Sequence, residues 1–366
     1  MLTAVLPTRN RAGYCAAQLR FLRDSGFDYP IAVLDASDDD QAEVVRAACM
    51  NMAEYRRFDR SFRLVDKLAT VVPDLATPYV VLVPDDDIIL PDAIAAALAF
   101  LQYHPDHVVA HGYFLSFGIE NQDFDIHDVI GFTSSIEEAS PLARHYHLFR
   151  RYQSFYWGVF RTNVFATALT AARAMNVVLF RELTVMSTSV LQGKVARLPM
   201  VYALRGPATS HAAIHDSNPL FWFLRDAQSF FTSYLAFRDG IAQFIRAKGI
   251  AVPQGSRIEQ ILDIAHTTYL GRELDLGMTN YTARRLLGAD IPPIRPESEW
   301  PTRGQSLSDD VVHDSRVAGR RYVWRRRVTE SRDEIAIGPS EMAVVERQLD
   351  AYQPNGSARD VGTTAY

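Results

Sequence analysis

Apolar and polar positions alternate along the first 110 residues in two periods. Short apolar runs at Leu2–Leu6, Ile31–Leu34 and Tyr79–Val83 predict buried strands, with a further extended piece near Tyr55. Between them, Gly13–Asp24, Gln41–Met50, Phe62–Val72 and Pro91–Tyr103 space their apolar residues as helices do, and Val108–Phe117 reads as strand again. Strands alternating with helices of this length imply βαβ units, hence an α/β domain with a mostly parallel sheet flanked by helices. Such sheets bind ligands at the carboxyl ends of their strands. The polar segments at those ends are Pro7-Thr8-Arg9-Asn10, Asp35-Ala36-Ser37-Asp38 and Asp85-Asp86-Asp87.

Further along, Glu120–Ser140 is polar and irregular and is expected to be a mobile loop over the site. Pro141–Arg150, 162–174 and Val178–Gln192 read as helices, and Phe155–Phe160 and Lys194–Leu204 as strands. Beyond His215 the chain becomes helical and aromatic-rich over Leu220–Ala247, and Arg257–Leu287 reads as a pair of helices. Pro292–Pro301 carries four prolines and reads as a linker. The expected organisation is a catalytic domain over 1–215, a C-terminal helical extension over 216–290, and a linker with a charged C-terminal segment over 291–366, its last dozen residues disordered.

Composition narrows the picture. With 48% hydrophobic and 22% charged residues the chain resembles an ordinary globular protein, and a net charge of -5 does not suggest a nucleic-acid binder. Cys15 and Cys49 lack metal spacing and read as small apolar helix residues in a reducing compartment. No apolar stretch is long enough to span a membrane, and the N-terminus reads as a first strand rather than a signal peptide, so the expected location is the cytoplasm. The absence of GxGxxG after the first strand, and of GxxxxGK[ST] anywhere, argues against a dinucleotide-binding enzyme and a P-loop NTPase.

Asp85-Asp86-Asp87 is the most informative segment. Three carboxylates at the end of a buried strand repel one another unless a cation joins them. A hard divalent metal, Mn²⁺ or Mg²⁺, would couple them to a substrate diphosphate. The alternative is a solvated turn capping the helix that starts near Pro91.

The series Val5-Leu6-Pro7-Thr8-Arg9-Asn10-Arg11, Val33-Leu34-Asp35-Ala36-Ser37 and Thr77-Pro78-Tyr79-Val80-Val81-Leu82-Val83-Pro84-Asp85-Asp86-Asp87 resembles GT-A glycosyltransferases of the large family-2 type. The resemblance is strongest to a bacterial subgroup with a triple-aspartate form of the DxD motif. Ser61-Phe62, Lys67 and Tyr156-Trp157-Gly158-Val159-Phe160-Arg161-Thr162 also fit, so it covers roughly residues 1–215. It implies a nucleotide-diphosphosugar-binding α/β fold and a hexosyltransferase-like activity. Pro7, Thr8 and Arg9 would border the nucleotide, with Asp35 accepting from base or ribose and Ser37 beside it. Asp85 and Asp86 would face the donor, Asp85 and Asp87 would meet the metal, and Lys67 would touch a phosphate or else lie on a solvated helix face. The bound cation would stabilise the departing nucleoside diphosphate.

An inverting transferase also needs a base for the acceptor hydroxyl. Glu182, in Phe180-Arg181-Glu182-Leu183-Thr184, occupies the family's place for it, although Leu183 stands where many relatives have Asp. Otherwise Glu182 is a surface helix residue paired with Arg181 or a nearby Lys. His211 is the candidate third metal ligand, four residues before His215, or a structural histidine; Arg205 is another diphosphate partner. Tyr156 and Trp157 would offer a sugar an apolar face, with Arg161 beside them, or else pack in the core. Phe221, Trp222, Phe223, Phe230, Phe231 and Tyr234 would form core, a homodimer interface or a contact for a lipid-linked acceptor. Arg325–Arg327 would touch an anionic membrane face or stay solvated. The expected function is transfer from a nucleotide-activated sugar to a glycan or other hydroxyl acceptor in bacterial surface polysaccharide synthesis. The competing readings are a sugar-phosphate nucleotidyltransferase and a non-catalytic nucleotide-sugar-binding protein.

Overall fold

A computed structural model describes residues 1–120, 123–127, 134–150, 152, 154–206, 219–286, 309–327 and 337–352. The order of the N-terminal half is β1 (Leu2–Thr8), α1 (Ala12–Asp24), β2 (Ile31–Asp35), α2 (Asp39–Cys49), β3 (Glu54–Arg57), α3 (Leu64–Val71), β4 (Tyr79–Leu82), β5 (Ile88–Ile89), α4 (Pro91–Tyr103) and β6 (His107–Glu120). β7 (Asp123–His127), α5 (Pro141–Arg150), β8 (Val159–Arg161), α6 (Thr162–Arg173), α7 (Val178–Gln192) and β9 (Lys194–Arg205) follow. Then come α8 (Pro219–Arg225), α9 (Ala227–Ala247), α10 (Ile258–Leu286), β10 (Asp309–Val317), β11 (Arg320–Arg327) and α11 (Pro339–Asp350).

The protein is α/β, with one sheet flanked by helices. Its main path runs β10-β11-β7-β6-β8-β4-β1-β2-β3. The strands that carry the polar ends, β4, β1 and β2, are parallel neighbours, and β3 continues in the same sense. β1 lies between β2 and β4 and is covered on both faces, which is why it is apolar at nearly every position rather than alternating. Leu2, Ala4 and Leu6 enter one core with α1 and α4; Val5 enters the other with Val65, Leu68 and the aromatic side chains of α6, α7 and α9. Antiparallel pairing enters where β8 inserts between β4 and β6.

Several expectations need correction. Part of the segment read as a loop, Asp123–His127, is a strand paired antiparallel with β6; its Phe124 and Ile126 are buried while the intervening side chains are half-exposed. Arg257–Leu287 is not a helix pair: α10 runs unbroken from Ile258 to Leu286. Of the expected Phe155–Phe160 strand only Val159 and Phe160 lie in the sheet, where β8 runs Val159–Arg161.

The C-terminal charged segment supplies a hairpin, β10–β11, that joins the sheet through a parallel pairing of β11 with β7. Tyr322 stacks on Phe124 with ring centroids 5.3 Å apart, and buried Trp324 donates its indole N–H to Glu346 Oε1 at 2.8 Å. Met342, Val345 and Leu349 of α11 complete that side of the core. Arg325 donates to Asp125 on β7 at 2.8 Å. The linker Pro292–Pro301 and the last dozen residues lie outside the described residues. In the aromatic series, Trp222 and Phe230 pack against Phe180 in the core, whereas Phe231 is exposed. No helix among the described residues is long and apolar enough to cross a membrane.

Candidate functional site

Because β1, β2 and β4 are parallel, their carboxyl ends form one rim. Thr8, Asp35 and the triplet Asp85-Asp86-Asp87 share it. Thr8 donates its hydroxyl to Asp85 Oδ2 at 2.8 Å. Arg11 reaches over from the start of α1 and donates to Asp85 Oδ1 at 3.0 Å and Asp86 Oδ2 at 2.7 Å. Asp87 is held from the opposite side. β5 pairs with the end of β9, Ile88 opposite Leu204, so the Gly206 N–H donates to Asp87 Oδ1 at 2.9 Å while Arg205 Nε lies 3.8 Å from Oδ2. A Cβ on Gly206 would stand 2.7 Å from the Asp86 carbonyl oxygen, so this close approach requires glycine.

Asp85 and Asp87 are buried. Loss of hydration raises the Asp85 carboxyl to about 6; the Asp86 charge adds to the rise, and Arg11 and Thr8 oppose it. Asp87 rises to about 7, again chiefly by burial, against the pull of Arg205. Arg11 is shared between Asp85 and Asp86, and Arg205 stands 3.8 Å from Asp87, so the two guanidinium groups only partly offset three carboxylates. Their donor set is all oxygen, which suits Mg²⁺ or Mn²⁺ rather than a thiophilic metal.

The rest of the rim is prearranged. Asp35 is fully buried and accepts from the Ser37 N–H at 2.8 Å, the Tyr55 hydroxyl at 2.9 Å and Arg57 at 3.2 Å. Ser37 Oγ in turn accepts the Asn10 N–H at 2.7 Å. Asn10 adopts a positive φ of 54°, which asparagine tolerates, and its side-chain oxygen accepts the Asp38 N–H at 2.7 Å. This clasp joins the ends of β1 and β2. Pro7 and Arg9 are half-buried on the same segment, and Arg9 has no hydrogen-bond or ion-pair partner among the described residues.

Lys67 is placed differently from the phosphate contact or solvated face expected of it. It is buried beneath the rim and donates to the carbonyls of Thr8 at 2.9 Å and Leu34 at 3.1 Å. Burial lowers its ammonium to about 8, offset in part by Asp85 and Asp35. It braces β1 against β2 from below.

β8 runs antiparallel to β4, with Val159 opposite Val81, so Tyr156 and Trp157 extend toward the acidic end of β4. Tyr156 is buried, and its hydroxyl has no hydrogen-bond partner among the described residues. Trp157 is half-buried and its carbonyl accepts the Tyr202 hydroxyl at 2.9 Å. Glu182, in the second turn of α7, accepts the Tyr152 hydroxyl on Oε1 at 2.6 Å, rather than pairing with Arg181. Arg181 instead binds Asp66 at 3.1 Å and the Met175 carbonyl at 2.6 Å. Burial, with the Glu182 charge second, pushes both tyrosine hydroxyls well above their ordinary range.

Arg161 does not join this group. It lies opposite Tyr79, at the end of β4 away from the triplet. Its guanidinium donates to the carbonyls of His107 at 2.8 Å, Leu101 at 2.7 Å and His104 at 3.1 Å. His211 and His215 lie outside the described residues. Sequence reading gave no role to Arg11 or Tyr152. Arg11 had a signal, a basic residue just past the first strand; Tyr152 had none.

No family model matches the chain, and no curated protein matches it. Among solved structures it is similar to S. aureus TarS, at 15% identity and a TM-score of 0.43 over 75% of this chain, which spans about half (53%) of that one. A TarS structure covering 1–349 aligns at 12% identity and a TM-score of 0.45, over 91% of this chain and 97% of that chain. The mannosyltransferase PcManGT from Pyrobaculum calidifontis, solved with GDP-Man and Mn²⁺, aligns at 16% identity and a TM-score of 0.38, over 80% of this chain and 76% of that chain.

Proposed function

We propose that this chain is a metal-dependent glycosyltransferase. It moves a sugar from a nucleoside-diphosphate donor to a hydroxyl acceptor, a glycan or a lipid-linked one, with inversion, in bacterial surface polysaccharide synthesis at the cytoplasmic side. The observation that carries the reading is the pair of buried, undercompensated carboxylates, Asp85 and Asp87, at the rim where β1, β2 and β4 end. Asp85 and Asp87 would hold Mn²⁺ or Mg²⁺, which supplies positive charge for the leaving diphosphate. Pro7, Thr8 and Arg9 border the nucleotide, and Arg9, which has no partner among the described residues, offers a cation to a phosphate. Asp35 and Ser37 shape the base and ribose end. Asp86 holds Arg11 at the mouth of the site.

Glu182 is the base. With Oε1 engaged by Tyr152, Oε2 is the atom that takes the proton of the acceptor hydroxyl as its oxygen bonds the anomeric carbon and the bond to the diphosphate breaks. Tyr156 and Trp157 line the sugar side.

The test combines a donor-hydrolysis and transfer assay with a thermal-shift panel of nucleoside diphosphates, each with and without Mn²⁺. Asp87→Ala and Asp85→Ala should abolish turnover while the protein stays folded, and one nucleoside diphosphate should raise the melting point only with metal. Full turnover in both variants, or in EDTA, would sink the proposal.

A further inference from the structure

A second cluster of metal-type ligands lies at the end of the sheet remote from the acidic rim, in the turn between α4 and β6. One ligand atom each of His104, Asp106 and His107 falls within 4.8 Å of the others. Around a tetrahedral zinc ion such atoms stand about 3.3 Å apart, so side-chain rotations alone would close the set.

The turn is rigid before any ion arrives. Arg161 binds the carbonyls of Leu101, His104 and His107 from below, which fixes the backbone on both sides of Asp106. The His104 ring stacks on Phe100 with centroids 4.0 Å apart. Ile136 makes an isolated bridge to Val195 and so sets Glu137 beside the turn. Lys194 Nζ takes Asp106 Oδ2 at 2.6 Å and leaves Oδ1 facing the histidines.

His107 gives the decisive geometry. Its Nδ1 lies 2.9 Å from Asp106 Oδ1 and its Nε2 3.4 Å from Glu137 Oε1. A neutral imidazole has one N–H for these two acceptors. The 2.9 Å contact is the length of an Nδ1–H···Oδ1 hydrogen bond, which a bound cation would replace as the remaining proton moves to Nε2 and is directed at Glu137. A carboxylate on the far nitrogen of a metal-bound histidine is the usual orienting partner in zinc sites.

From this we infer that His104, Asp106 and His107 form a site for a borderline divalent metal of the zinc type, with Glu137 orienting His107 and the remaining coordination open to water. Two imidazoles and one carboxylate suit Zn²⁺ better than Mg²⁺, which takes oxygen ligands. The site would staple the α4–β6 turn, far from the acidic triplet, and it does not rest on the glycosyltransferase reading.

The test is calorimetric titration of the EDTA-stripped full chain with ZnCl₂, in the Asp85→Asn, Asp87→Asn double variant so that the acidic rim does not contribute, with Co²⁺ absorption as a second readout. One Zn²⁺ per chain is expected, with tetrahedral Co²⁺ bands in the visible. Binding should be lost in His107→Ala and in His104→Ala; the latter ring is exposed, so its removal leaves folding intact. Glu137→Gln should weaken it by about tenfold. No zinc uptake would overturn the inference. Uptake unchanged in both histidine variants would overturn it equally.

Discussion

Thr8 and Asp85 are joined by a hydrogen bond of 2.8 Å across neighbouring parallel strands, hydroxyl to carboxylate, with both side chains buried. The bond fixes one oxygen of Asp85 and orients the other toward Arg11. Thr8→Val preserves shape but leaves the buried carboxylate short of a donor, at a cost of about 1–3 kcal/mol. We expect lower stability in urea and weaker Mn²⁺ affinity by calorimetry. An unchanged metal affinity would show that this bond does not set the carboxylate.

The acidic rim predicts a pH dependence. The folded carboxyls of Asp85 and Asp87 rise to about 6 and about 7, above the unfolded value of 3.8. The native state therefore keeps protons that the unfolded chain gives up. Stability from this source is fully present below about pH 4 and is lost as pH rises toward 7. A metal that binds the ionised pair restores it. Denaturation with and without Mn²⁺ at pH 5 and pH 8 should show a larger metal-dependent gain at pH 8.

Tyr152 and Glu182 make a prediction with two levels. Glu182→Gln should lower turnover by about 10²–10⁴-fold with little change in nucleotide affinity, the signature of a lost base. Tyr152→Phe leaves the carboxylate in place but frees Oε1, so its smaller loss should appear in kcat together with a displaced pH optimum. If Glu182→Gln keeps full turnover, the proton goes elsewhere.

Lys67 separates bracing from ligand binding. Lys67→Met removes the donor shared by the Thr8 and Leu34 carbonyls, at about 1–3 kcal/mol for each group left unpaired. Urea denaturation should register that loss, while the affinity of the surviving folded protein for nucleoside diphosphate changes little. The reverse pattern would make Lys67 a phosphate contact.

Much of this protein was legible from local pattern. The apolar period of two or 3.6 residues located β1, β2, β4, α1, α2 and α4 to within a residue or two, because burial of one strand or helix face is written in neighbouring positions. The parallel sense of β4, β1 and β2 then followed from the helices between them, and with it the shared rim. What failed was pattern too short or too polar to score. Asp123–His127 alternates over five residues only, and becomes a strand because β6 and β11 flank it. The β10–β11 hairpin is dense in charge, and its few core residues, Tyr322 and Trp324, find their partners nearly 200 residues earlier or in α11.

Residue types at the rim were readable in the same way; their partners were not. The sequence alone determined an α/β chain with three polar strand ends and a run of carboxylates at one of them, since side-chain period and turn chemistry are local. Only tertiary structure decided that Lys67 turns inward to two carbonyls, that Arg161 serves the opposite end of the sheet, and that Arg11 and Gly206 hold the carboxylates from either side. A charge takes whichever partner the packed chain brings within about 3 Å, and that choice depends on segments about 30–120 residues distant, where no local signal reaches.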